Sequence, residues 1–101
     1  MAKYTIRPLA EADLDEQVAY IAQDNITAAL NMYDSAEATY QQLAEFKQMG
    51  KPYLSDHLEL ANVRFFPIKD YQNYLVFYIP FETHIDIIRV VNSARDIENI
   101  L

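Results

Sequence analysis

Hydrophobic and polar positions divide the chain into a helical first half and a stranded second half. Residues 3–7 alternate, with Tyr4 and Ile6 on one side, and predict a short strand that Pro8 ends. Over residues 9–24 the apolar side chains Leu14, Val18, Ile21 and Ala22 fall at i, i+4, i+7 and i+8, one stripe of a helix. Glu11, Asp13, Asp15 and Glu16 crowd its first turns, where the helix dipole favours negative charge. Asn25 or Thr27 is placed to cap a second helix running to about residue 49, with Ala29, Tyr33, Ala36, Tyr40 and Leu43 spaced by four and three. Small residues on both stripes predict close antiparallel packing of the two helices. Gly50, the only glycine, follows where a left-handed residue would close the helix.

After a polar connection over residues 51–60, three strands are predicted at residues 62–68, 73–79 and 85–92, with short turns at residues 69–72 and 80–84. Connections this short give an antiparallel meander. Pro67 cannot donate to a ladder and belongs at a strand end or edge. The run Tyr74-Leu75-Val76-Phe77-Tyr78-Ile79 is apolar on both faces, as in a central strand covered twice. The helical hairpin supplies one cover. No second cover is evident, which points to a partner that provides it and to self-association of the chain alone. From residue 94 onward a short helical turn is predicted, with Ile97, Ile100 and Leu101 as its apolar side. The fold class is α+β, in the order β-α-α-β-β-β.

With 101 residues the chain makes one small domain, 1–101. A hydrophobic content of 51% argues against disorder. No apolar run approaches the ~20 residues of a membrane span, and no basic–apolar–small signal segment opens the chain. A cytoplasmic protein without membrane association is the expectation. Cysteine is absent, so disulfides and thiolate metal sites are excluded. The net charge is −7 and uneven: residues 1–60 carry four Lys/Arg against ten Asp/Glu, residues 61–101 four against five. The acid lies mostly on the helices. An overall basic footprint for nucleic acid is missing, so no sequence-specific DNA binding by the chain itself is expected.

No glycine-rich phosphate loop, HExxH or Gly-x-Ser-x-Gly is present. His57 and His84 are distant and lone. The arginines carry more information. Arg89 lies in the body of a predicted strand, where a long cation must snorkel, pair with an acid or face a functional surface. Strict alternation puts Arg89 with Ile87 and Val91. Two readings stand: an ion pair with a helix carboxylate or Asp96, or an arginine on an open sheet face near Arg64 of a neighbouring strand, able to hold phosphate or acidic groups. Tyr33 and Tyr40 fit the helix core, and Tyr74 and Tyr78 share one face of the central strand as core or contact surface.

Tyr4-x-Ile6-x-x-x-Ala10-x-x-Asp13-Leu14, Ala19-Tyr20-Ile21-Ala22, Asp24-Asn25, Ala28-Ala29, Leu43 and Phe46, Met49-Gly50-Lys51-Pro52, Val63-Arg64-x-x-Pro67, Tyr74-Leu75-Val76-Phe77-Tyr78 and Ile88-Arg89-Val90-Val91-x-x-Ala94-Arg95-Asp96 stand in an order that resembles the ParE branch of the RelE/ParE toxin superfamily. The resemblance spans nearly the whole chain. Two features depart from it: Ile26 stands where such sequences often have proline, and the chain is unusually acidic for the family.

The resemblance implies a two-helix hairpin on one face of a small, mainly antiparallel sheet. It also implies the toxin of a type II toxin–antitoxin, or plasmid-stabilisation, pair. A cognate antitoxin, ParD-like or another small protein, would bind it directly in a homo- or hetero-oligomer, and DNA gyrase would be the target. Arg64, Lys69, Arg89 and Arg95 are the expected target contacts. Leu14, Val18, Ile21, Tyr33, Tyr40, Tyr74 and Tyr78 are the expected antitoxin contacts. No cofactor or metal is implied. The alternatives are a diverged member that only binds its antitoxin, or a RelE-like, metal-independent ribonuclease. A ribonuclease needs cations to hold phosphate and a group to move the 2′-OH proton. Arg64, Arg89, Arg95 and His84 are the catalytic candidates for that chemistry.

Overall fold

Pro8 ends the first strand and begins the first helix, because its fixed φ and missing N–H suit the opening helical position. The computed structural model describes residues 2–101. The elements are β1 (Tyr4–Ile6), α1 (Pro8–Ala22), α2 (Ile26–Glu45), β2 (Lys51–Pro52), a 3-10 turn (Leu58–Leu60), β3 (Arg64–Ile68), β4 (Tyr71–Pro80), β5 (Ile85–Asn92) and α3 (Ile97–Ile100). The α+β class and element order are those the sequence predicts, with β2 as an addition. None of the described helices is long and apolar enough to cross a membrane.

Asn25 caps α2, its side-chain oxygen accepting from the Ala28 N–H at 3.0 Å. The helix stops at Glu45, four residues short of expectation. The chain beyond is held by other bonds: the buried Tyr78 hydroxyl donates to Lys47 O at 2.8 Å and accepts from Gly50 N–H at 2.9 Å. Gly50 is not left-handed. It is glycine for a different reason, since a Cβ there would lie 2.5 Å from Tyr78 Oη and 2.9 Å from Phe65 O.

The sheet order is β1-β5-β4-β3-β2. β3, β4 and β5 form the expected antiparallel meander, and β1 pairs with β5 in parallel, Tyr4 opposite Ile85. Pro67 lies beyond the reach of β2, which pairs only with Arg64 and Phe65. The Lys69-Asp70 turn places Asp70 at φ 67°, a left-handed conformation that aspartate tolerates.

Both helices pack on one face. Leu14, Val18, Met32, Ala36, Tyr40 and Leu43 meet Ile68, Val76, Tyr78, Ile85, Ile87 and Val90. The opposite face corrects the expectation of a missing cover. There Phe77, Ile88 and Val91 are buried beneath Leu60 and Val63 of the 53–63 segment, with Ile97, Ile100 and Leu101 of the C-terminal turn against them. The chain seals its own second face, so that face gives no ground for self-association.

A bulge in β5 makes this possible. Phe77 opposes Arg89 and Tyr78 opposes Ile87, which leaves Ile88 without a partner. Ile87 and Val90 therefore both join the helix-side core, while Ile88 and Val91 join the other. Strict alternation fails at this point.

Candidate partner-binding site

β1 covers β5 only as far as Ile87. Beyond it the exposed edge of β5 is completed by side chains of α1, one turn apart. Asp13 Oδ2 accepts from Val90 N–H at 3.0 Å, and Gln17 Nε2 donates to Val90 O at 2.8 Å. Asp13 also holds Arg89 in a two-pronged pair, Nε to Oδ2 at 2.7 Å and Nη2 to Oδ1 at 2.9 Å. Arg89 Nη1 donates to Ile100 O at 3.1 Å, so one guanidinium ties α1 and α3 to the sheet. Its bonds to Asp13 raise the Arg89 pKa above the ordinary arginine value. The ion-pair reading of Arg89 is the one the geometry supports. Those bonds give Arg89 a structural role, and its side chain keeps 22% exposure.

The remaining cations do not converge. Arg64 on β3 is separated from Arg89 by β4, and its guanidinium donates to the carbonyls of Gln48 and Gly50. Lys69 is exposed in the β3–β4 turn, where its backbone N–H donates to Thr39 Oγ1 at 3.1 Å. His84 precedes β5 and stacks on Phe81, ring centroids 5.0 Å apart. Arg95 follows β5 at its other end, on the order of 25 Å from His84 by the rise of such a strand. Arg95 is exposed and makes no ion pair with any described residue. It borders a cleft of about 360 Å³ together with Tyr20, Tyr74, Asn92 and the Asp13–Arg89 pair. The catalytic set Arg64, Arg89, Arg95 and His84 is thus dispersed over the sheet.

Of the expected antitoxin contacts, Leu14, Val18, Tyr40 and Tyr78 are buried in the chain's own core. Ile21 and Tyr74 are half-buried against that core. Burial pushes the Tyr40 and Tyr78 phenols up from their ordinary value. Tyr33 alone is well exposed, and its hydroxyl donates to Asp15 of α1 at 2.7 Å, a bond that also raises its pKa.

The outward side of the hairpin carries Tyr33, which spacing assigns to the helix core, together with other exposed apolar residues. Ile26, Leu30 and Tyr33, at i, i+4 and i+7, are 67%, 59% and 39% exposed and form a stripe along α2. Leu9 and Tyr20 of α1 are exposed as well. The signal was present as a second periodic stripe, but spacing does not say which of two stripes faces inward. Between Pro8 and Glu45 the hairpin has eight acidic residues (Glu11, Asp13, Asp15, Glu16, Asp24, Asp34, Glu37 and Glu45) and no Lys, Arg or His. Among the described residues, only Asp13 of these is in an ion pair.

The family model described as the ParE toxin of type II toxin–antitoxin system, parDE, matches residues 4–97. Among solved structures, a chain of the chromosomal ParDE TA system from P. aeruginosa superposes with a TM-score of 0.72 at 17% identity, over 91% of this chain and 96% of that one. At that identity the likeness is one of fold. No curated protein matches.

Proposed function

The chain belongs to the ParE toxin family of type II toxin–antitoxin systems, and from that premise we propose that it acts by binding and inhibiting DNA gyrase and is neutralised by direct contact with a cognate antitoxin. The observation that favours binding over hydrolysis is the dispersal of Arg64, Arg89, Arg95 and His84. Metal-independent RNA cleavage needs cations and a proton acceptor around one phosphate. Here Arg89 is held by Asp13, Arg64 by backbone carbonyls, and His84 and Arg95 lie beyond opposite ends of β5. The choice of gyrase rests on the family resemblance. Arg95 and Lys69 are the cations left for target contact, and the outward stripe of the hairpin is the seat for the antitoxin.

The test is a gyrase supercoiling assay with purified chain, repeated after addition of the antitoxin encoded by the neighbouring reading frame. Inhibition that the antitoxin reverses supports the proposal. Unimpaired supercoiling at excess toxin, with mRNA cut on translating ribosomes, sinks it in favour of a ribonuclease. Inactivity in both assays with antitoxin binding retained leaves a member that only binds its partner.

A further inference from the structure

We propose that the partner segment seated on the outer face of the hairpin is a cationic amphipathic helix, its apolar side chains on Ile26, Leu30 and Tyr33 and its Lys or Arg residues among the surrounding carboxylates. This deepens the preceding reading and rests on it for the partner's identity as antitoxin.

Two independent features of the surface converge on that chemistry. The first is shape. Ile26, Leu30 and Tyr33 form an exposed apolar stripe along α2. The Tyr33 phenol reaches across to Asp15 of α1, which fixes the ring before any partner arrives. Ala12 and Ala19, both exposed, flank Asp15 one turn away on either side. An exposed apolar stripe at i, i+4 and i+7 suits a partner helix that lays its own apolar face along it.

The second feature is charge. Asp34 lies one turn beyond Leu30 and Glu37 one turn beyond Tyr33, so the apolar stripe ends in carboxylates. No basic side chain on either helix offsets them. An acidic partner would bring like charges together across a desolvated contact. A second copy of this chain, itself at −7, would do the same. Lysines or arginines beside apolar anchors meet both features at once.

The experiment uses the full chain and two synthetic helical peptides that share one leucine stripe, one with lysines on its polar face and the other with glutamates. The lysine peptide binds and the glutamate peptide does not. Leu30→Asp weakens the lysine peptide by about tenfold although it adds negative charge, since an anchor is lost. The double change Asp34→Lys and Glu37→Lys weakens it at least as much. Glu59→Lys with Glu98→Lys, placed outside the hairpin, changes it by no more than about twofold. Circular dichroism of each variant confirms that it is folded.

Equal weakening by both charge-reversed pairs means undirected attraction and overturns the proposal. So does equal binding of both peptides, or binding of neither. Concentration-dependent dimerisation that Leu30→Asp abolishes would give the face to a second copy instead. The neighbouring-frame antitoxin separates the two readings. If it binds wild type and the Asp34→Lys, Glu37→Lys variant alike, the antitoxin reading stands and this inference falls. If it fails to bind wild type, the antitoxin reading falls while the peptides still decide the chemistry of the face.

Discussion

Asp13 holds Arg89 by two bonds, at 2.7 and 2.9 Å, and with the same carboxylate accepts from the Val90 N–H next to it. One side chain of α1 therefore neutralises the strand cation and closes the strand edge. Arg89→Ala leaves that carboxylate without its counterion. The expected loss is about 2 kcal/mol, below the range for fully buried pairs because the two side chains keep 22% and 15% exposure. Asp13→Ala costs more, since it strands both the guanidinium and the Val90 N–H. Denaturant melts read these losses. Gyrase inhibition per folded molecule is expected to be unchanged in Arg89→Ala, and an inactive variant of undiminished stability would make Arg89 a target contact after all.

Arg95 is the complementary case. It is exposed and unpaired with any described carboxylate, so Arg95→Ala is expected to leave stability within about 0.5 kcal/mol. Target inhibition is expected to fall, measured as the toxin concentration that halves supercoiling. Unchanged inhibition would remove Arg95 from the target surface.

Gly50→Ala forces a methyl group to within 2.5 Å of Tyr78 Oη and 2.9 Å of Phe65 O. The phenol is fully buried and bonded at both ends of the 47–50 turn, so it has nowhere to retreat. The expected cost is about 1–3 kcal/mol. Tyr78→Phe relieves the oxygen clash but leaves the Gly50 N–H unpaired, at about 1–3 kcal/mol in its own right. Thermal melts of the two single variants and the double variant show whether the costs couple, as residues in contact do.

Stability is expected to fall in alkali. Burial raises the Tyr40 and Tyr78 pKa values above 10.0 in the fold, so above that pH the unfolded chain loses phenolic protons that the folded chain keeps. The folded state then binds more protons, and the free energy of unfolding declines as pH rises. Below pH 10 this contribution is fully present. Tyr40→Phe is expected to flatten the decline, read from melting temperatures on either side of pH 10.

The α hairpin and the β3–β5 meander were legible in the sequence because each is set by short-range information: a 3.6-residue stripe, an asparagine cap, two-faced strands joined by brief turns. What escaped prediction depends on contacts between distant segments. The parallel pairing of Tyr4 with Ile85 leaves no local mark. Nor does the bulge at Ile88, which redirects β5 without any glycine or proline to announce it. Most of the segment under the second face reads as a polar connection because its apolar residues follow no period, and of its leucines only Leu60 turns inward while Leu54 and Leu58 stay exposed. At the site the same limit applied. Leu14 and Leu30 are both periodic apolar residues of the hairpin, and only the fold shows that the first faces the sheet and the second faces water.

The pairing of β1 with β5 also orders events in time. β1 is made well before β5 and must wait for it before it gains its sheet neighbour. α1 and α2 form early, but the apolar side that will rest on Ile85, Ile87 and Val90 stays bare until those residues are made. A nascent chain of this design closes its sheet only once β5 is made, and a protein able to grip α1 and α2 can engage it before that moment.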